Sequence, residues 1–312
     1  MTSSLHDSDA LFALGQALQQ AGYRFTTITP ASHRRVNGRD GNERADDLRG
    51  VFGWSRPFAE DMLPPGILAL MRRAGVVRER GGLLCATVRA STIGERLYFH
   101  SAFPTREDDA VFFGPDTYRY IAALKRSMEI MAPPQRAVDI GTGSGAAAIE
   151  VACRFPACES VGADINAFAL GIAAVNARLA GAHNVPTLHS DLLKDLDGDF
   201  DLVMSNPPYI LDPSELRYRH GGGMHGAALS VEIVEAALTR LRPGGTLLLY
   251  TGVAMVDGRD AFLDTIRPQL DARCAGWTYE ELDPDIFGGQ LDCEGYEDVE
   301  RIAAVWLHAS LR

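Results

Sequence analysis

The sequence predicts an α/β protein: a parallel, doubly wound sheet forms the larger part, and a smaller α+β unit precedes it. Three observations carry this. From about Ala137 onward, short β-rich runs alternate with Ala-rich helical stretches, at the spacing of strand–helix–strand units. The strands there are largely apolar, as expected of a sheet covered on both faces. The first hundred residues lack this alternation. Residues 1–105 are therefore expected to form an N-terminal unit and residues 106–312 the sheet domain.

In the N-terminal unit, Asp9 to Gln20 has helical periodicity, with Ser8 as N-cap and Asp9 in the first turn. Pro30 to Arg49 is polar and reads as irregular. Its five arginines are interleaved with Asp40, Glu43, Asp46 and Asp47, the mark of a solvated segment rather than a nucleic-acid patch. Leu63-Pro64-Pro65 opens a helix through Arg73 that Gly75 ends, with the prolines in its first turn. Leu83 to Arg89 and Arg96 to Ser101 flank Ser91-Thr92-Ile93-Gly94 as a hairpin. Helix followed by hairpin is a winged-helix-like order, although a small α/β lid is the plainer reading. In the sheet domain the expected strands are Arg136–Ile140, Glu159–Ala163, Val185–His189, Phe200–Ser205 and Thr246–Thr251. The helices between them are Ala146–Arg154, Ala167–Gly181 and Ser230–Leu241, and Arg242 to Gly245 forms a turn before the fifth strand.

Composition narrows the function. Among 312 residues, 41 acidic side chains against 30 basic ones give a formal net charge of -11, which disfavours general binding to a phosphate backbone. No apolar run approaches the roughly 18 residues of a membrane span, and Met1 to Asp7 does not read as a signal peptide. Five cysteines, none spaced C-x-x-C, do not suggest a disulfide framework. Together these point to a soluble, reduced, cytoplasmic protein without a membrane partner. Cys153 and Cys158 read as packed thiols, and neither His220 and His225 nor the other histidines form a metal pattern.

Val138-Asp139-Ile140-Gly141-Thr142-Gly143-Ser144-Gly145 lies where a strand passes into a helix. Glycines there let the backbone turn tightly and approach a ligand. Gly141, Gly143 and Ala146 also satisfy a dinucleotide fingerprint, and Asp164, 19 positions after Gly145, suits the ribose of either cofactor class. Three features separate the classes. Asp139 sits inside the strand, where a dinucleotide site wants an apolar residue. Asp191-Leu192 follows the third strand and offers a carboxylate for an exocyclic amine and an apolar face for a ring. Asn206-Pro207-Pro208-Tyr209 directly follows the fourth strand, and it is the strongest signal in the chain.

With these motifs in order, the stretch from about Val111 to Thr251 resembles a class I S-adenosylmethionine (SAM)-dependent methyltransferase of the HemK-like, Asn-Pro-Pro-Tyr group. The resemblance implies a Rossmann-like seven-stranded methyltransferase sheet with a reversed last strand, the final two supplied by Trp277–Leu282 and Ile302–His308. It implies SAM as cofactor and S-adenosylhomocysteine as product; residues 1–105, which do not read as the relatives' helical bundle, are expected to be a substrate-recognition or lid unit before the catalytic domain. Asp139, Gly141, Thr142, Gly143 and Gly145 would line the methionine end. Asp164 and Ile165 would hold the ribose side, and Asp191 with Leu192 the adenine.

Methyl transfer needs a lone pair aimed at the methyl carbon, and an amide or aromatic amine nitrogen has that pair delocalised. The Asn206 side-chain oxygen and the Pro207 carbonyl can grip its two N–H bonds. Prolines present carbonyls with no competing donor, and Tyr209 can stack on a planar acceptor. These three residues are the catalytic candidates, and Asn206 also borders the cofactor.

Two segments depart from the glutamine-methylating relatives. Their Arg-Pro-Glu-Thr-type segment is replaced by Phe112-Phe113-Gly114-Pro115-Asp116-Thr117-Tyr118, of which Phe113 and Tyr118 are candidate walls over the cofactor. Their Glu-containing motif after the fifth strand is replaced by Leu249-Tyr250-Thr251-Gly252. The loop Arg217 to Gly226 is expected over the acceptor pocket, either closing on its glycines with Arg219 or His220 at an anionic acceptor, or as a plain flexible connection. The expected activity is N-methyl transfer to a small molecule or a protein side chain rather than to nucleic acid. The alternatives are an enzyme that cyclises or cleaves SAM, a non-catalytic SAM-binding module and, more remotely, an NAD-dependent oxidoreductase.

Overall fold

The computed structural model describes residues 7–105, 107–211 and 218–312. Helix α1 (Ser8–Gln20) starts one residue earlier than the periodicity suggests, because Asp7 is the cap in place of Ser8: its Oδ1 accepts from Ala10 N at 2.8 Å. A carboxylate at the positive helix end suits that position. The stretch expected to be irregular holds two helices, α2 (Pro30–Asn37) and α3 (Leu48–Phe52). Thr29 and Asp47 cap them through Ser32 N and Gly50 N. Only His33 of α2 is buried, so the segment carries no apolar periodicity that could announce it. Helix α4 (Pro65–Ala74) is as expected, ending at Gly75 with φ 71°.

The hairpin region is a correction. Strands β1 (Val77–Arg80) and β2 (Leu83–Ala86) form one antiparallel ladder, β3 (Val88–Ile93) and β4 (Arg96–Ser101) another. The run Leu83–Arg89 is thus divided between two ladders. Ser91, Thr92 and Ile93 are strand, and the turn falls at Gly94-Glu95, where Gly94 has φ 57°.

Helix α5 (Pro115–Ile130) leads into the sheet domain: β5 (Arg136–Ile140), α6 (Ala146–Arg154), β6 (Glu159–Asp164), α7 (Ala167–Leu179), β7 (Thr187–His189) and β8 (Phe200–Ser205). Then come α8 (Ala228–Arg240), β9 (Leu241–Val256), the short β10 (Arg259–Asp260), α9 (Ala261–Arg273), β11 (Cys274–Asp283) and β12 (Arg301–Leu311). The expected turn is a bulge inside β9: Phe200 pairs with Leu241 and Leu202 with Thr246, so Arg242 to Gly245 loops out around Gly244 (φ 78°).

The sheet order is β11-β12-β9-β8-β5-β6-β7, with β10 pairing off β9. Strands β9, β8, β5, β6 and β7 run parallel, and β12 is antiparallel to both β9 and β11. The last strand is therefore the reversed one, inserted between its neighbours. Period-two alternation feeds two apolar layers. On β9, Leu248 and Tyr250 face the α5–α6 side with Leu124 and Ile149, while Leu247 and Leu249 face Ile233 and Ile266 of α8 and α9. The N-terminal unit shares a third apolar cluster with α7: Leu11, Leu14 and Phe99 pack with Ile172 and Val175. No helix among the described residues is long and apolar enough to cross a membrane.

Candidate active site

The chain winds from β5 outward through β6 to β7, then returns across β5 to β8 and β9. The crevice beside β5 is a topological switch point, where open α/β sheets bind ligands at the carboxyl ends of their strands. Gly141, Asp191 and Asn206 follow the ends of β5, β7 and β8, and Asp164 is the last residue of β6, so the order of strands sets them side by side. Ser205 pairs with Ile140 and its hydroxyl donates to Ile140 O at 2.8 Å, which holds the start of Asn206 against the glycine loop.

The loop's three glycines have φ of 67°, 53° and 79° at Gly141, Gly143 and Gly145, all in the left-handed region. Their surroundings differ. A Cβ on Gly141 would meet nothing within 4 Å, and one on Gly143 nothing closer than 3.9 Å, so the loop's open face is free for a ligand. A Cβ on Gly145 would press on Ala173 of α7 at 3.0 Å, so this glycine serves helix packing. Thr142 N donates to Ala163 O at 3.0 Å and ties the loop to β6.

Asp139 lies beneath the loop, 2% exposed. Its two oxygens accept from Thr142 Oγ1 at 2.7 Å and Tyr120 OH at 3.2 Å. Burial pushes its carboxyl up to about 7, against the lowering effect of these hydrogen bonds. Asp164 accepts from Gly143 N and Asn166 N, each at 2.9 Å. Burial raises its pKa too, opposed by those amides. Beside it Ile165 is 46% exposed, an apolar face at the site's rim. Ser190 N donates to Asp164 O, which brings Asp191 and Leu192 to the same edge. Asp191 pairs with Lys194 at 2.5 Å on the surface, and Leu192 holds a left-handed φ of 54°. An open cradle, a carboxylate at its rim and an exposed apolar side chain fit an adenosyl group, and buried Asp139 with half-buried Asp164 suits the positive charges of SAM.

Asn206 is partly buried, and among the described residues its carboxamide makes no hydrogen bond; nor does the Pro207 carbonyl accept one. Tyr209 is placed differently from a stacking side chain. It is 7% exposed, its ring lies against Gly252, where a Cβ would stand 2.3 Å from Cδ2, and its hydroxyl lies in the field of Asp116, which with burial pushes its pKa up. Asp116, 3% exposed, accepts from Tyr250 OH at 2.7 Å and Arg119 Nη1 at 3.2 Å. The two stretches that depart from the glutamine-methylating pattern, 112–118 and 249–252, thus meet in space and anchor Tyr209 together. Neither Asp116 nor Tyr250 stands out in the sequence, because 134 positions separate them.

Phe113 is 4% exposed and stacks on His100 at 4.8 Å, facing the N-terminal hairpin, whereas Phe112 is the exposed ring. Tyr118 accepts from Thr27 N at 3.0 Å. In the loop after Tyr209, Arg217 lies outside the described residues, and Arg219 Nη2 donates to Gln290 Oε1 at 3.1 Å. Gly221 and Gly226 here are packed rather than free, whereas a Cβ on Gly223 would meet nothing within 4 Å. A Cβ on Gly221 would stand 1.9 Å from Gly226 O, and one on Gly226 2.3 Å from Tyr209 O.

The methyltransferase small domain family matches residues 122–255. The release factor glutamine methyltransferase of Cereibacter sphaeroides is 30% identical over 200 residues, 58% of this chain and 70% of its own length. That of Deinococcus radiodurans is 35% identical over 164 residues, 49% of this chain and 55% of its own. The ribosomal protein uL3 glutamine methyltransferase of Neisseria meningitidis serogroup B is 34% identical over 129 residues, 37% of this chain and 42% of its own. The chain spans about half the length of most of the curated relatives it matches. Strand order, the glycine cradle and these relationships agree: the chain belongs to the class I SAM-dependent methyltransferases of the HemK type.

Proposed function

We propose that this chain transfers a methyl group from SAM to the nitrogen of a planar amide, and that the acceptor is a glutamine side chain of a protein. The observation that carries this is the pair of unengaged acceptor oxygens, Asn206 Oδ1 and Pro207 O, beside the glycine cradle at the switch point. When bound, SAM supplies a methyl group made electrophilic by its sulfonium. The chain's own residues do the rest by position. Two oxygens that accept from both N–H bonds of a carboxamide fix the plane and direction of its nitrogen. Holding such a near-attack geometry is worth roughly 7–11 kcal/mol of barrier at best. Tyr209, wedged on Gly252 beside the Tyr250 ring, stiffens the loop that presents the two oxygens. A protein acceptor is favoured because the relatives are named for glutamine in release factors and in ribosomal protein uL3.

The test is transfer of label from methyl-labelled SAM to purified release factor, purified uL3, RNA, and a protein-free metabolite extract. Label on a glutamine of a protein supports the reading. Label confined to RNA or metabolites contradicts the acceptor, and SAM breakdown with no acceptor present contradicts methyl transfer.

A further inference from the structure

One side chain joins the cofactor loop to the N-terminal unit. Asn176, on the inner face of α7, has no exposed surface. Its Oδ1 accepts from Phe99 N at 2.8 Å, while Nδ2 donates to Phe99 O at 2.9 Å and to Ser144 O at 2.8 Å. Phe99 is in the middle of β4; Ser144 sits in the cofactor loop between Gly143 and Gly145. The carboxamide thus acts towards β4 as a neighbouring strand would, and its second N–H reaches the loop. Asparagine is a poorer helix former than alanine, and its buried neighbours on α7 are Ile172, Ala173, Val175 and Ala177. A polar group at such a position stabilises only when its hydrogen bonds are made.

Other contacts converge on the same junction. Gly145 presses on Ala173, one turn before Asn176. Ser101 at the end of β4 pairs with Val111, through Ser101 N to Val111 O at 3.1 Å and Val111 N to Ser101 Oγ at 2.8 Å. Val111 in turn borders Gly143, whose Cβ would lie 4.0 Å from its Cγ1. Behind the loop, Glu150 of α6 accepts from Arg96 and Tyr98 of β4, each at 3.0 Å. Strand β4 is therefore linked to the surroundings of the cofactor loop through α7, Val111 and α6.

We propose that Asn176 is a positioning residue for the cofactor: by fixing the Ser144 carbonyl against β4 it holds the left-handed turns of Gly143 and Gly145, and so makes the N-terminal hairpin part of the SAM-binding machinery. Because coupling of this kind is reciprocal, SAM binding must in turn steady β4.

The test compares SAM dissociation constants by isothermal titration calorimetry, well below each variant's Tm. Asn176→Ala removes all three hydrogen bonds, and Asn176→Asp keeps the oxygen for Phe99 N but loses both donors. Tyr279→Phe is the control, since it deletes a bond to Asp260 Oδ2 at the β11 edge of the sheet, with β12, β9 and β8 standing between it and β5. Both Asn176 variants should bind SAM about tenfold more weakly, the scale of one lost buried hydrogen bond. The control should lower Tm and leave the dissociation constant within about twofold, since a change remote from the loop removes no contact that SAM can feel. Hydrogen exchange on the wild-type protein keeps the idea testable if the variants do not fold. There SAM should slow the Phe99 amide more than the amides of β1–β2. Wild-type SAM affinity in folded Asn176 variants, or protection of residues 141–146 without β4, overturns the proposal. A wild-type protein that does not bind SAM overturns the proposed function itself, and this inference with it.

Discussion

Replacing Asp139 by asparagine should stabilise the free protein, and by an amount that depends on pH. The carboxyl is 2% exposed and its pKa is pushed up from 3.8 to about 7. Between those values the folded state holds the proton more tightly than the unfolded chain, so stability contributed by the protonated form is lost as pH rises through 7. At 1.36 kcal/mol per unit, the full penalty at pH 8 is about 4 kcal/mol. At pH 5 it is already about 2 kcal/mol, because the unfolded chain is ionised there. An asparagine keeps a carbonyl acceptor for Thr142 or Tyr120, whose hydroxyls can reorient towards its amide. Its advantage over wild type should therefore grow by roughly 2–3 kcal/mol between pH 5 and pH 8. Urea unfolding followed by circular dichroism at several pH values measures this directly. Parallel pH profiles for the two proteins would refute the assignment of the buried charge. The same variant should bind SAM more weakly, as a residue that trades stability for function would.

Three further outcomes are expected. Asp164→Ala should weaken SAM binding by about 1.5–3 kcal/mol, the scale of lost charge-assisted hydrogen bonds, as read by calorimetry on the folded variant. Tyr250→Phe removes the 2.7 Å donor to buried Asp116 and should cost about 1–3 kcal/mol. That bond lowers the Asp116 pKa, so the loss should be larger at pH 8 than at pH 5 in thermal denaturation. Gly252→Ala sets a methyl 2.3 Å from the Tyr209 ring, and the overpacking should cost about 1–3 kcal/mol. In that variant turnover should fall while SAM affinity, measured in parallel, stays near wild type.

What the sequence made legible was what repeats locally. The strands of the sheet domain, its crossover helices and the Gly75 helix stop follow from periodicity and turn chemistry, and the structure places them within a few residues. Helix α2 escaped because a cap at Thr29 and a proline start, rather than an apolar face, define it. The division of Leu83–Arg89 between two ladders escaped because Gly81-Gly82 and Gly94-Glu95 set separate registers. At the site, the residues proposed to hold SAM or the acceptor lie at strand ends, where motif spacing is informative. Their supports are not local. Asp116 reaches Tyr250 across the whole sheet domain, and Asn176 reaches Phe99 across 77 positions. A lone asparagine within the apolar run Ile172 to Ala177 was the available signal for the second of these.

The measurement that bears most directly on the central claim is the split between binding and turnover in Asn206→Ala, using whichever acceptor takes up the label. Asn206 is assigned to the acceptor nitrogen, and the cradle around Gly141 and Asp164 to SAM. The variant should therefore bind SAM as tightly as wild type and lose turnover on the order of 100-fold, the scale set by misplacing a reacting group. Wild-type turnover in that variant, or a loss confined to SAM affinity, would contradict the account.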